Sequence, residues 1–513
     1  MSTEDLDENE MLDVDHAWYH TRFFFRWLAL LAPPLGLVLL WTSPLATRRR
    51  RILGSIALLV GAFVYTAVII GAGVQVGWWE IEWLGGDYPV LVHRRSRPNP
   101  DLVEADRANQ AALPAPRIDA AAMREPVWTD FRGPGRAGRS EEGPILTRWP
   151  AAGLRQLWRN PCGGGYASFV VAEGLAFTIE QRRDQEVVAA YDLKTGREVW
   201  AHGYTARFEE WMGGDGPRAT PTYHAGRLYS LGAKGDLLCL GAATGTVVWQ
   251  RNVLEDAGSS NLPYGLAASP LLVGEQLLVT AGTASAHGTL LSYDALTGDV
   301  LWSELPEQQS YASPMLVDDG ANPQVLLLTA SRLLGFDVRR REVLWDFPWH
   351  VRYDNTICLP VRVAEARYFL GAGYGAGSAL VEVRPAGGGF QAEPVWENRN
   401  LRTKFNPAVF WQGHLYGLDE GVLACVDAET GERRWREGRY GYGQMLLTDG
   451  HLLVLSGDGD VALVAADPAK YEELERLHAL RGKCWNVPAI AHGRLLVRNS
   501  SEMACYQIGI TSR

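Results

Sequence analysis

From Trp128 onward one phrase returns along the chain, and it limits the fold more than any other feature. It reads Asp192-Leu193-Lys194-Thr195-Gly196 leading to Trp200, then Gly241-Ala242-Ala243-Thr244-Gly245 leading to Trp249. Asp294-Ala295-Leu296-Thr297-Gly298 leads to Trp302, and Asp427-Ala428-Glu429-Thr430-Gly431 leads to Trp435. Asp337 leads to Trp345, with Arg340 read into the glycine slot. Trp158 and Trp396 fall in phase without the full phrase, so successive tryptophans stand 39–53 residues apart. Self-similarity at that period indicates a propeller or a solenoid.

The phrase has a physical reason. A strand ending in Asp and followed by x-x-Thr-Gly makes a tight hairpin. The Asp and Thr side chains cap backbone N–H groups, and Gly takes the positive φ. The returning strand carries Trp, a large flat residue suited to filling the space between adjacent sheets. Before each phrase lies a second hairpin, two apolar strands about a turn. The set is Phe169–Phe177, Pro221–Tyr229, Ser269–Val279, Ser313–Leu327, Val361–Leu370, Pro407–Tyr416, Met445–Val454 and Pro488–Val497. Each repeat therefore supplies four strands, one propeller blade. Cys239, Cys425 and Cys505 fall at one third-strand position, as small buried residues.

Eight hairpins meet only seven tryptophans. Tyr471–Leu480 supplies the missing outer strand; the rival reading of that stretch is a helix. The last hairpin with Met503–Ile508 has no outer strand after it, and Leu154–Arg159 has no blade before it. Pairing the two closes the ring and removes exposed strand edges. The expected fold is all-β: an eight-bladed β-propeller of four-stranded blades over residues 127–513, preceded by two N-terminal transmembrane helices.

Residues 1–22 form an acidic tail with no basic n-region, so an ordinary signal peptide is not indicated. Residues 23–78 read as a transmembrane hairpin. Phe23–Trp41 is apolar except for Arg26 but contains Pro33-Pro34, and its rival reading is a buried helix. Ile52–Trp78 carries no charge over 27 residues, where a span needs ~20. Arg48–Arg51 lie in the intervening loop. They favour a cytoplasmic loop, and a twin-arginine export signal is the rival reading. The chain is thus expected in a bacterial inner membrane, with the propeller on the extracytoplasmic side. Residues 79–126 read as an extracytoplasmic linker, rich in Pro and Ala over 96–126.

Composition narrows the function. The net charge of −10 leaves no basic surplus for phosphate contact, so no nucleic-acid partner is expected. The six cysteines form no Cys-x-x-Cys pair and the histidines show no ligand spacing, so no metal site is assigned. No phosphate loop or Gly-x-Ser-x-Gly elbow is present.

The Asp-x-x-Thr-Gly-x-x-x-Trp phrase resembles the tryptophan-docking repeat of pyrroloquinoline-quinone (PQQ) type propellers. That superfamily includes quinoprotein alcohol dehydrogenases and the BamB lipoprotein of outer-membrane assembly. Trp128-x-x-Phe131-Arg132-Gly133-Pro134-x-Arg136-x-Gly138 and Gly482-Lys483-Cys484-Trp485-x-x-Pro488 also resemble bacterial members. The dehydrogenase branch implies PQQ held with calcium, and often a vicinal disulfide. This chain has no adjacent cysteines and no Cys-x-x-Cys-His haem motif. No calcium set maps onto named residues. Two functions follow: a BamB-like binding or scaffold module for a protein partner or small ligand, or a PQQ-dependent oxidoreductase acting on an alcohol or sugar.

In a propeller the loops entering the innermost strands converge on one rim. That slot holds Tyr166, Arg218, Tyr264, Tyr311, Asn355, Phe405, Tyr442 and Trp485, with Asp215, His350, Lys404, Arg439 and Lys483 nearby. Aromatic rings with a few charges suit a ligand or peptide pocket. The alternative is that the rings cap blade cores and the charges face solvent. The glycines of Gly213–Gly216 either let a ligand approach the backbone or form a plain flexible loop.

Overall fold

The computed structural model describes residues 38, 40–42, 47–76, 78–86, 88–93, 98–116, 118, 127–318 and 323–509. The chain divides into two compact units: Met1–Glu82 with Leu91–Arg94, and Trp83–Val90 with Arg95–Arg513.

In the first unit, helix α1 spans Arg48–Val76. Its 29 residues extend about 44 Å at helical rise, more than the ~30 Å hydrocarbon core of a bilayer. Among the described residues it is the one helix long and apolar enough to cross a membrane. The four arginines expected in a loop instead form its first turn. Thr47 Oγ1 accepts from Arg50 N at 3.4 Å. No Gly or Pro between Thr47 and Ile52 stops the helix from propagating through Arg, a good helix former. The expected first span, Phe23–Trp41, lies outside the described residues except at its end.

The second unit carries eight blade sheets, seven of four strands and one of five, in the order the repeat predicts. Blade 1 runs from Val170 to Thr205, blade 2 from Thr222 to Asn252 and blade 3 from Leu271 to Glu304. Blade 4 runs from Met315 to Pro348, blade 5 from Val361 to Asn398, blade 6 from Val409 to Arg439 and blade 7 from Gln444 to His478. Blade 8 combines Ala489–Gln507 with Gln156–Pro161, and Cys505 faces Trp158 across the closing pair. The stretch with a rival helical reading is a strand, Glu473–His478, paired with Asp460–Val464. Within the stretch read as a linker, Pro100–Ala111 forms helix α2, capped by Asn99.

The phrase works as its chemistry suggests. Asp192 Oδ1 accepts from Lys194 N (3.0 Å), Thr195 N (2.7 Å) and Thr195 Oγ1 (2.8 Å). Four of the tryptophans then lie on the phrase glycine of the next blade. Trp158, Trp200, Trp249 and Trp396 donate Nε1–H to Leu193 O, Ala242 O, Ala295 O and Ala428 O at 2.8–3.1 Å. Their rings cover Gly196, Gly245, Gly298 and Gly431, leaving no room for a Cβ. Cys239, Cys425 and Cys505 stand directly opposite Trp249, Trp435 and Trp158.

Blade 4 corrects one residue of the sequence reading. The glycine slot there is Arg341, not Arg340, since Arg341 takes the left-handed φ of 59°. Its guanidinium lies 5.9 Å from the Trp302 ring centroid. Without a glycine to lie on, Trp302 donates instead to Gln276 Oε1 of its own blade, at 2.9 Å. Trp345, facing a blade that lacks the phrase, turns back to Gln324 Oε1 in the same way, at 2.7 Å.

The lead-in Trp128–Ser140 runs along the inner strands like an axle. Trp128 pairs with Val171 of blade 1, and Thr129 O accepts from Tyr223 N of blade 2 at 2.9 Å. The buried Arg136 guanidinium pairs with Asp130 at 2.8 Å and donates to Ser269 O at 3.1 Å and Pro314 O at 2.6 Å, just ahead of blades 3 and 4. Arg132 donates to Ala408 O at 3.3 Å, and Arg139-Ser140 pairs in parallel with Leu447-Thr448 of blade 7.

Candidate binding rim

The inner-strand entrances are held in register by a belt of hydroxyls. Ser168 N donates to Thr220 Oγ1 (2.9 Å), Thr220 N to Ser269 Oγ (3.0 Å) and Ser269 N to Ser313 Oγ (2.9 Å). Above this belt the predicted rim residues gather unequally. Tyr166, Trp485, Phe405 and Tyr442 form one continuous aromatic run. Their centroid separations are 5.5 Å (Tyr166–Trp485), 4.7 Å (Trp485–Phe405) and 6.1 Å (Phe405–Tyr442). Tyr264 and Tyr311 make a separate edge-to-face pair at 5.6 Å, and burial pushes the Tyr311 hydroxyl up to about 12.

Two of the chain's few lysines sit between aromatic faces. Lys483 Nζ lies 4.2 Å from the Trp485 centroid and 5.6 Å from that of Tyr166. Lys404 Nζ lies 4.8 Å from Tyr442 and 5.0 Å from Tyr374. Such stacking stabilises an ammonium that has left bulk water. Lys404 is 2% exposed and pairs with Glu420 Oε2 at 3.2 Å, which also accepts from Tyr442 Oη at 2.7 Å.

Each of blades 6 to 8 adds a buried carboxamide at its entrance. Asn406 Oδ1 accepts from Lys404 N (3.0 Å), Gln444 Nε2 donates to Phe405 O (2.9 Å), and Asn486 Nδ2 donates to Ala167 O (2.9 Å). The other polar atom of each, Asn406 Nδ2, Gln444 Oε1 and Asn486 Oδ1, has no hydrogen-bond partner among the described residues. A buried polar atom in this state is ordinarily met by an ordered water.

The remaining expected residues divide. Arg218 lies over Phe208 (4.8 Å) and Tyr166 (5.6 Å), and donates to Gly214 O and Gly216 O at 2.6 Å. Burial lowers its pKa. It therefore folds the Gly213–Gly216 loop rather than reaching outward. Asp215 is exposed and accepts from Glu210 N at 3.0 Å. Asn355 is buried beside Tyr374. His350 and Arg439 are exposed. Tyr374 and Glu420 escaped the sequence reading because they come from the turn between the second and third strands. That turn opens on the same face as the inner-strand entrance, so Gly373–Gly377 and Asp419-Glu420-Gly421 carried the signal.

The comparisons with known proteins agree with this architecture. Residues 183–350 match the family model described as outer membrane protein assembly factor BamB. Over that stretch, about a third of the chain, the sequence is similar to that family. BamB from Moraxella catarrhalis superposes with a TM-score of 0.50 at 15% identity, covering 70% of this chain and 99% of that one. Quinohemoprotein alcohol dehydrogenase from Comamonas testosteroni gives 0.55 at 14% identity, covering 80% and 85%. At these identities the likeness is one of fold. No curated protein matches the chain in sequence.

The donor chemistry of the rim bears on the calcium and PQQ that the resemblance implies. Calcium takes six to eight oxygen ligands, carboxylates foremost. The rim carboxylate Glu420 is engaged by Lys404 and Tyr442. Among the described residues no group of three His, Cys, Asp or Glu side chains is placed to hold a metal ion. The rim thus shows no calcium cage among the described residues, and what it offers a planar quinone is the Trp485 face and the Lys483 ammonium.

Proposed function

We propose that the chain is a membrane-anchored, extracytoplasmic binding or scaffold module whose rim takes a protein partner or small ligand. The observation that carries this reading is the aromatic run of Tyr166, Trp485, Phe405 and Tyr442 with two ammonium groups stacked on it. Such a surface offers ring faces for stacking and cations for carbonyl or carboxylate oxygens. Helix α1 supports the anchor, and Arg48–Arg51 at its start support a cytoplasmic position for that end. Cross-linking in native membranes tests the reading. A partner captured by the wild type is expected to be lost on Trp485→Ala and on Lys483→Met; capture unchanged in both variants refutes it.

A PQQ-dependent oxidoreductase remains the second reading, favoured by the Trp485 indole and Lys483 ammonium that a planar carboxylated quinone would meet. Titration with PQQ and calcium, followed by dye reduction with alcohols and sugars, discriminates. Absence of quinone binding at micromolar concentration discards it.

A further inference from the structure

The rim lysines share a second feature. Lys483 Nζ donates to Gly213 O at 3.0 Å, and Lys404 Nζ donates to Gly85 O at 2.9 Å. Both carbonyls belong to the same pentapeptide pattern. Gly213 lies in Trp211-Met212-Gly213-Gly214-Asp215, and Gly85 lies in Trp83-Leu84-Gly85-Gly86-Asp87. In each copy the first glycine offers its carbonyl to a lysine between two aromatic faces. The two leading tryptophans meet edge to face at 6.2 Å.

The copies differ in how they are held. The Gly213 copy is built into the connection between blades 1 and 2. Met212 N and Gly213 N donate to the Glu210 carboxylate, and Tyr166 Oη donates to Gly213 O at 2.6 Å. The Gly85 copy belongs to the short segment Trp83–Val90, which groups with the propeller although its flanking residues do not. Lys404, the Tyr442 ring and Trp211 are what it rests on. Gly85 has φ +91°, and a Cβ there would lie 2.6 Å from Tyr442 Cβ. A glycine is therefore required for the carbonyl to reach the lysine. A lysine receiving a backbone carbonyl reads the shape of a turn rather than a side chain.

We propose that the Lys404 half of the rim is a receptor for a glycine turn of the form aromatic–apolar–Gly-Gly, filled in cis by Trp83–Gly86. Its partner in trans is a polypeptide presenting the same turn. This narrows the proposed rim function to a class of partner and rests on that reading. Tethering gives the cis segment an effective concentration on the order of mM, so a partner must displace it to bind.

The test uses the full chain in detergent micelles and a fluorescein-labelled synthetic peptide of residues 81–89, read by anisotropy. Gly85→Val, and independently Trp83→Ala, expel the cis segment and are expected to tighten peptide binding at least tenfold over wild type. Lys404→Met in either background is expected to remove that gain, and a peptide with valine for its first glycine is expected not to bind. Both substitutions lie outside the blades, and an unchanged melting curve verifies that the propeller is intact. No gain in either variant, or a gain that survives Lys404→Met, overturns the proposal. Partner capture lost on Trp485→Ala without any peptide response overturns the glycine-turn receptor alone. A peptide response without native capture supports the receptor and counts against the scaffold reading.

Discussion

Two glycines separate backbone strain from tryptophan docking. Gly298 and Gly226 have nearly the same conformation, φ 78° and 77°. A Cβ on Gly298 would lie 2.6 Å from Trp249 Cδ2 and 2.8 Å from its Cε3, whereas one on Gly226 would meet nothing within 4 Å. Alanine at either position incurs the left-handed cost, roughly 1–2 kcal/mol, partly offset by a less flexible unfolded chain. Only Gly298→Ala also displaces Trp249. That loses the Nε1–H bond to Ala295 O, worth about 1 kcal/mol. It also disturbs contacts with Tyr229 and Tyr293, whose ring centroids lie 6.1 and 6.5 Å away, at a cost of about 1 kcal/mol more. Gly298→Ala should therefore destabilise by about 2 kcal/mol beyond Gly226→Ala. Urea unfolding followed by tryptophan fluorescence measures both. Midpoints that coincide would refute the docking argument and leave the phrase glycine as a turn residue only.

Three further outcomes are expected. Arg341→Gly relieves a left-handed arginine and should stabilise by about 1 kcal/mol, seen as a higher urea midpoint; a lower one would mean that Arg341 on Trp302 outweighs the strain. Glu186 is fully buried and accepts from Tyr204 Oη at 2.6 Å and Ala233 N at 3.0 Å; burial pushes its carboxyl from 4.5 up to about 7. The folded chain then binds this proton more tightly than the unfolded chain, so stability falls as pH rises from about 4.5 to about 7, by up to about 3 kcal/mol, and Glu186→Gln should flatten that slope in unfolding curves. All six cysteines are buried, and burial pushes the thiols of Cys162, Cys484 and Cys505 up to about 12, so Ellman's reagent should find no thiol until the protein unfolds; fast labelling of the native protein would contradict this.

The blade count, the strand order and the closing pair were legible because each follows from a local rule repeated many times. Thr-Gly turns, apolar hairpins and an unmatched strand at either end leave little freedom. Trp302 and Trp345 show where such rules stop. Their glycine seats are missing in sequence, but only packing reveals that Gln276 and Gln324 replace them. The rim was half legible for a similar reason. The inner-strand entrances form one register, which found Tyr166, Phe405, Tyr442, Lys404, Lys483 and Trp485 together. The same register also gathered Arg218, whose hydrogen bonds turn inward, and His350 and Arg439, which face solvent. Tyr374 and Glu420 come from a different turn of each blade, and the axle arginines meet blades hundreds of residues away. No local pattern encodes such meetings.

The clasp between Gln156–Pro161 and Glu502–Gln507 carries a consequence for biosynthesis. Gln156–Pro161 must stay unpaired until Glu502–Gln507 has been produced, so the ring cannot close before then. Its contacts are among the most distant in the chain, a topology that folds slowly. A product ending before Glu502 would carry two naked sheet margins, each a template for another chain. The ring is thus shut by a strand far along the chain, and any product cut short of it stays open.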